Sequence, residues 1–167
     1  MLAAVKQVYT NIYEVSNEYT TSAWIGKFDL NAFFMSIDCK ILLQSLLDFI
    51  EDNYHGNDKE LVKWLTEIII THEPEKNCKK RGNLTLWQDL NPKKSLFNTP
   101  TMIGMPIGNL TSQLFANFYM SFFDEFMNEL MEECGGKYVR FVDDFVIICP
   151  NKEDILRIHK LSETFLQ

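Results

Sequence analysis

Glycine and proline are scarce in this 167-residue chain, at 7 and 5, and cysteine is scarcer still at 4. The first two shortages exclude collagen-like and low-complexity classes, and the third excludes a disulfide scaffold. Long hydrophobic runs are missing as well. None approaches the roughly 18 to 20 apolar residues that a spanning helix needs, and no basic patch followed by an apolar stretch opens the chain. Neither membrane insertion nor secretion is expected. Cys39, Cys78, Cys134 and Cys149 show no close pairing along the chain, as expected for reduced thiols in a cytoplasm. Zinc is not expected either, because Cys78 has only His72 near it and no second ligand pair. What is present is 46% hydrophobic and 13% aromatic, enough at this length for one domain with a real core.

The formal net charge is -7, which taken alone argues against nucleic acid as a partner, since phosphate contacts need Lys and Arg. The distribution reverses that expectation locally. Lys76, Lys79, Lys80, Arg81, Lys93 and Lys94 face the single acid Asp89, while Asp124, Glu125, Glu129, Glu132 and Glu133 cluster elsewhere. A local potential can oppose the net charge.

Apolar residues at helical spacing over 2 to 19 predict a first helix. Trp24 to Leu30 then alternates as a half-buried strand, with Trp24, Phe28 and Leu30 on one side and Ile25, Lys27 and Asp29 on the other. Asp38 is suited to N-cap the next helix, running to about Asp52, with Ile37 and Leu42 as a hydrophobic staple. A turn over His55 to Asp58 precedes an amphipathic helix that Pro74 is expected to end. Residues 73 to 106 form the longest irregular stretch and hold four of the five prolines and the basic cluster. Loops of that length in compact domains are usually functional or mobile, and ligand contact is expected there. The longest and most buried helix is expected from Asn109 to about Glu133, with Leu114, Phe118, Phe122, Phe126 and Leu130 recurring along it. Tyr138 to Val142 and Phe145 to Cys149 read as a hairpin with Asp143-Asp144 at its tip, and Asn151 to Leu166 as a final helix.

Two adjacent carboxylates at a tight tip raise one another's pKa unless a cation neutralises them. Asp-Asp at a turn is also ordinary solvated turn chemistry. A third acid, Asp29, ends a separate strand that carries Lys27 on the same face. If strand and hairpin are neighbours in one sheet, the three acids converge and suit two Mg²⁺ ions about 3.5 to 4 Å apart, the geometry of in-line phosphoryl transfer.

Three motifs then stand in order. The run Phe28-Asp29-Leu30-Asn31-Ala32-Phe33-Phe34-Met35-Ser36-Ile37-Asp38 resembles the first palm motif of reverse transcriptases of the group II intron and retron type. Gly104-Met105-Pro106-Ile107-Gly108-Asn109-Leu110-Thr111-Ser112-Gln113, followed by Ala116-Asn117-Phe118-Tyr119, resembles the second, and Phe141-Val142-Asp143-Asp144 the aromatic-x-Asp-Asp motif. Most reverse transcriptases carry Gln-Gly-x-x-x-Ser-Pro where this chain has Ile107-Gly108 and Ser112-Gln113, a form that looks like the diversity-generating retroelement group. The resemblance implies an RNA-directed DNA polymerase that copies a template RNA into cDNA with errors at adenines.

It also implies roles. Asp29 and Asp143 become metal ligands, Asp144 a weaker one, and Leu30 lends its carbonyl to Mg²⁺ or Mn²⁺. Phe34 matches the steric gate against a ribose 2′-hydroxyl, or else packs in the core. Ile107 stands where faithful relatives use Gln beside the incoming nucleotide, and an apolar side chain there relaxes selection; the alternative is packing within a loop. Gly108 allows close backbone approach to the substrate, and Gln113 either contacts the template or caps the helix. Trp87, Lys93 and Lys94 either bind template by stacking and phosphate contact or form a solvated charge run over a core Trp. Arg140 reads equally as a surface ion-pair partner, and Asp124 to Glu133 as a solvent face or as a surface for a basic accessory protein.

The fold implied is α+β, one palm domain over residues 1–167 with an antiparallel sheet packed on helices and a basic loop at about 73–106. No basic fingers strands precede Trp24 and no thumb follows Gln167, so a fragment inactive on its own is expected. The partners implied are template RNA, a DNA or RNA primer and dNTP, with no membrane, in the cytoplasm of a bacterium or as a phage product. The competing expectations are an ordinary retron or group II intron-like reverse transcriptase, and a non-catalytic nucleic-acid-binding module of palm-like fold.

Overall fold

A computed structural model describes residues 2–87, 90–91 and 94–167. They form two compact units, one running to Asn31 and resuming over Met120–Gln167, the other Ala32–Tyr119. The architecture is α+β. Among the described residues no helix is long and apolar enough to cross a membrane.

In the first unit, helix α1 (Leu2–Val15) precedes strand β1 (Trp24–Asp29). The helix is shorter than its apolar spacing predicts. Asn17, Glu18 and Tyr19 take φ of 45°, 58° and 64°, a left-handed turn that no helix continues through. β1 alternates as expected from Ile25 on, with Gly26 and Phe28 half-buried and Ile25, Lys27 and Asp29 exposed. Trp24, expected on the inner side with Phe28, is instead 45% exposed at the strand's start. Two further strands, β2 (Lys137–Phe141) and β3 (Asp144–Cys149), complete an antiparallel sheet in the order β1-β3-β2, and helix α7 (Lys152–Phe165) follows. The central strand β3 carries buried Phe145, Ile147, Ile148 and Cys149. Phe28 stacks on Phe145 and on His159 of α7, at ring separations of 5.2 and 4.8 Å. This fixes the end of β1 where Asp29 stands.

The second unit holds α2 (Phe33–Ser36), α3 (Cys39–Asn53), α4 (Lys59–Thr71) and α5 (Pro74–Asn77), then single 3₁₀ turns at Leu84–Trp87 and Leu96–Asn98. Asp38 caps α3 as its sequence context predicts, its Oδ1 accepting from Lys40 N at 2.8 Å and Ile41 N at 3.2 Å. Ile37 and Leu42, the staple pair, are both buried. Pro74 does not end α4; the helix stops at Thr71, and the proline takes the first position of α5, where its missing N–H is no loss.

Helix α6 (Leu110–Cys134), 25 residues long, runs from the second unit into the first. Its buried face agrees with the expected one at Leu130, is only half-buried at Phe118 and Phe126, and differs at Leu114 and Phe122. Phe115, Ala116, Met120, Phe123, Met127, Leu130 and Met131 are buried, whereas Leu114 and Phe122 are exposed. A strict spacing of four drifts around a helix of 3.6 residues per turn, so residues chosen that way leave the inner face. In the first unit Phe123 is a hub, with ring contacts to Phe145, Tyr138 and Phe165. All four cysteines are free, as expected. Cys134 and Cys149 bring their sulfurs to 3.9 Å, although 15 residues separate them in the chain.

Candidate active site

The hairpin of β2 and β3 turns through two residues, Val142 and Asp143. Asp144 is therefore not a tip residue, as the adjacent acids suggest, but the first residue of β3, opposite Phe141 on one side and Asp29 on the other. Cross-strand partners project from the same face of a sheet. Asp29 and Asp144 thus share a face, and Lys27, two residues earlier on β1, shares it too. The Lys27 Nζ lies 3.2 Å from Asp144 Oδ1 with both side chains open to solvent. Like charges placed opposite one another oppose pairing, and Lys27 offsets that repulsion. Asp143 is tied to the same strand end through its backbone, its carbonyl accepting from Leu30 N at 3.2 Å.

Carboxylates with a backbone carbonyl beside them are hard oxygen donors, the set that Mg²⁺ takes in preference to sulfur or imidazole. By donor type the residues fit such an ion. Among the described residues, however, no three acidic, histidine or cysteine side chains gather into a ready metal cluster. Asp29 and Asp144 face one another while Asp143 sits one residue away in the turn.

Arg140 is not at the surface. Its side chain is 10% exposed, and its guanidinium grips Asp124 of α6 through Nε–Oδ1 at 2.7 Å and Nη2–Oδ2 at 2.6 Å. Tyr138 donates its hydroxyl to the same carboxylate at 2.8 Å. Burial opposes the charge of Arg140, but the bonds to Asp124 outweigh it and hold its pKa above the ordinary value. Burial first, and Asp124 second, push the Tyr138 phenol up as well. Asp124 therefore does not belong to the solvent face of α6, which Glu125, Glu129, Glu132 and Glu133 do occupy. The sequence signal for this network is weak: Tyr138 and Arg140 alternate on one face of β2, but their partner is 14 and 16 residues away.

In the second unit, backbone bonds stitch the segment before α6 to the segment after β1. Cys39 N donates to Met102 O, Gly104 N to Ile37 O and Met105 N to Phe34 O, at 2.9, 2.8 and 2.7 Å. Gly104 is required there, since its φ is +91° and a Cβ would lie 3.3 Å from the Met35 backbone. Phe34 is half-buried and meets Phe33 edge-on at 5.3 Å. Ile107 is 73% exposed, so it does not pack within its loop. Gly108 has φ +92° with open space where a Cβ would be, so its own chain demands the conformation rather than the room. Gln113 is exposed on the first turn of α6; Asn109 Oδ1 accepts from Thr111 N there at 3.3 Å.

Trp87 is half-buried against Phe97, with ring centroids 5.1 Å apart, and Lys80 Nζ lies over the Phe97 ring at 4.6 Å. These residues line a cavity of ≈ 270 Å³ with Leu84, Leu90 and Ser95. Lys94 is exposed beside it in the chain. Lys93 lies outside the described residues.

No curated protein matches the chain. The family model described as reverse transcriptase (RNA-dependent DNA polymerase) matches residues 4–167, a span that includes β1, the segment before α6 and the Asp-bearing hairpin. The chain belongs to the reverse transcriptase (RNA-dependent DNA polymerase) family.

Proposed function

We propose that this protein is an error-prone reverse transcriptase of the diversity-generating retroelement type, copying a template RNA into cDNA with errors concentrated at adenines. The observation that carries the polymerase chemistry is the β1–β3 register, in which Asp29 stands opposite Asp144 while Leu30 N holds the Asp143 carbonyl. Asp29, Asp143 and the Leu30 carbonyl would hold two Mg²⁺ ions, with Mn²⁺ as a substitute, and Asp144 would be the weaker ligand. When bound, the ions supply an activated primer 3′-hydroxyl and stabilise the leaving pyrophosphate. Lys27 neutralises Asp144 until then and is placed to meet the negative charge of a triphosphate. Residues 1–167 act in this reading as the palm, and Phe34 excludes the ribose 2′-hydroxyl of an rNTP.

The error-prone character is supported by Ile107, an aliphatic side chain left 73% exposed rather than packed. It offers an incoming nucleotide contact without a hydrogen bond, and apolar contact alone selects by only about 1 to 3 kcal/mol. Gly108 keeps the backbone beside it open, while Gln113, Trp87, Lys93 and Lys94 are proposed to contact template RNA. The acidic face of α6 is a candidate surface for a basic accessory protein. No membrane is involved, and a bacterial or phage-derived cytoplasmic setting accords with this activity.

The test is Mg²⁺-dependent primer extension on an RNA template by the full open reading frame that contains this segment, beside its Asp143→Asn variant, with the cDNA sequenced. Loss of extension by at least about a hundredfold in the variant is expected, as for removal of a group that stabilises transition-state charge. Errors gathered at template adenines support the retroelement type. Accurate cDNA points instead to an ordinary retron or group II intron-like enzyme, and no extension even with cellular extract points to a non-catalytic module.

A further inference from the structure

Val142 occupies a conformation that its side chain opposes. Its φ is +61°, and a β-branched residue in the left-handed region is an outlier, since Cβ crowds the following carbonyl. Two-residue hairpins that need positive φ at the first central position ordinarily place Gly there. Strain of this kind persists only where surrounding structure over-determines it, and it clusters at functional sites.

The surrounding structure is Arg140. Its Nη1 donates to the Val142 carbonyl at 2.9 Å, while Nε and Nη2 are taken up by the two oxygens of Asp124. One planar fork therefore spans its own hairpin turn and the long helix. Tyr138 fixes Asp124 in place from the neighbouring position on the same strand face. On the other side of the turn, Leu30 N holds the Asp143 carbonyl. The carbonyls that flank Asp143's own peptide plane and the next one are thus both pinned, one to α6 through Arg140 and one to the end of β1.

We propose that Arg140, held by Asp124 and Tyr138, is a positioning residue that locks Val142 in its left-handed conformation and so sets where Asp143 presents its carboxylate. The proposal rests on the reading of Asp143 as a metal ligand, and its geometry is independent of that reading. The lock needs a guanidinium. Lysine keeps the charge but has no planar fork that can serve a carboxylate at two points and a carbonyl at a third. With the lock gone, Val142 relaxes toward negative φ and turns the peptide that leads into Asp143. Displacement of a reacting group by a fraction of an ångström lowers the rate without abolishing substrate binding.

The experiment compares wild type, Arg140→Lys and Arg140→Lys/Val142→Gly by primer extension and by amide hydrogen exchange. In Arg140→Lys, kcat is expected to fall by about tenfold or more with KM for dNTP within about twofold, since positioning acts on the transition state. Exchange is expected to rise over residues 141–145 and to stay unchanged in α7. Adding Val142→Gly, which takes positive φ without strain, is expected to recover at least half of the lost rate. A merely structural role for Arg140 would not be repaired at Val142. Unchanged kcat, unchanged exchange at the tip, or no recovery by glycine each overturns the proposal. Should Arg140→Lys fail to fold, Asp124→Asn, which keeps an acceptor oxygen and drops the charge, replaces it with the same expected exchange at the tip. If the wild type itself extends no primer, the polymerase reading fails, and the exchange measurement still decides the lock.

Discussion

The hairpin tip around Asp143 is half-buried, and the described residues of the basic loop between Lys76 and Thr99 are mostly exposed. Both are proposed to meet nucleic acid, yet they are held in opposite ways. The tip is fixed by bonds that cross the sequence: Arg140 to Asp124, Leu30 to Asp143, and the register of Asp29 with Asp144. The described residues of the loop between Lys76 and Thr99 rely on neighbours, whereas Met102, Gly104 and Met105 beyond them are bonded to the segment after β1. Leu86 N reaches Asn83 O, Asn98 N reaches Ser95 O, and Thr99 Oγ1 reaches Leu96 O, each three residues away. Its longer-range order comes from Trp87, Lys80 and Phe97 gathered around one cavity. Under the proposed function the difference follows from the chemistry asked of each. A catalytic carboxylate must be held to a fraction of an ångström, whereas a template-binding surface built on stacking and phosphate charge tolerates adjustment and accepts any sequence.

The largest effect that separates the two modes is expected at Phe34, which belongs to the second unit but is held in the manner of the tip, through Met105 N on its carbonyl. A steric gate works only if its ring cannot yield. Phe34→Ala is expected to raise the rNTP-over-dNTP ratio of kcat/KM by about 10- to 100-fold, the range that one pocket contact confers. Competition assays with paired nucleotides measure it. Unchanged rNTP exclusion would assign Phe34 to packing against Phe33 and leave the gate elsewhere.

A second test sits in the loop. Trp87→Ala is expected to weaken binding of single-stranded RNA by about fivefold or more, as for loss of one stacked base. Because the loop is locally held, the melting temperature should change little. Fluorescence anisotropy with a labelled template, beside a thermal melt, separates the two quantities. A large fall in melting temperature with unchanged RNA affinity makes Trp87 a core residue and breaks the contrast.

How much of this was legible depended on the range of each interaction. The Asp38 cap, the alternation of β1, the hairpin and the long helix α6 follow from patterns within a few residues, and the structure has them at nearly the expected bounds. The turn was off by one residue. Asp-Asp is the better turn pair by propensity, yet the chain turns through Val142 and Asp143, and the bond from Arg140 that supports Val142 is a tertiary feature. The Arg140–Asp124 pair and the Cys134–Cys149 approach were invisible for the same reason, each joining an end of the hairpin to α6. Within α6, an apolar count at spacing four chose Leu114 and Phe122, which the helix leaves exposed.

Ile107 gives a smaller effect. It stands just before Gly108, at the junction between the loop and α6, and its side chain is open. Ile107→Gln adds one hydrogen-bonding group, and a single net bond contributes about 0.5 to 1.5 kcal/mol. The adenine error frequency is therefore expected to fall by about two- to tenfold, with errors at other template bases nearly unchanged. Sequencing of cDNA from one template measures both. An unaltered error spectrum removes Ile107 from the fidelity argument without touching the acids.

The smallest expected effect concerns thiols, which report the same contrast without any nucleic acid. Cys78 is exposed in the loop, whereas Cys149 is buried at the end of β3. Burial, and then the neighbouring Cys134, push the Cys149 thiol from 9.0 up to about 12. Burial and then Asp38 push Cys39 to about 11. Between pH 9 and these values the unfolded chain has released protons that the folded chain still binds. Their contribution to stability is therefore complete below about pH 9 and is lost as pH rises toward 11 to 12. At pH 10 one such thiol accounts for about 1 kcal/mol, a fall of about 2 to 4 °C for a chain of this size. Cys149→Ala should lower the melting temperature slightly at pH 7, through a small void, and flatten its decline between pH 8 and 10. Alkylation should reach Cys78 first and Cys149 only on unfolding. Equal labelling rates, or parallel pH profiles for variant and wild type, would mean that the end of β3 opens as readily as the loop and that the sheet holding the acids is not the more firmly fixed of the two regions.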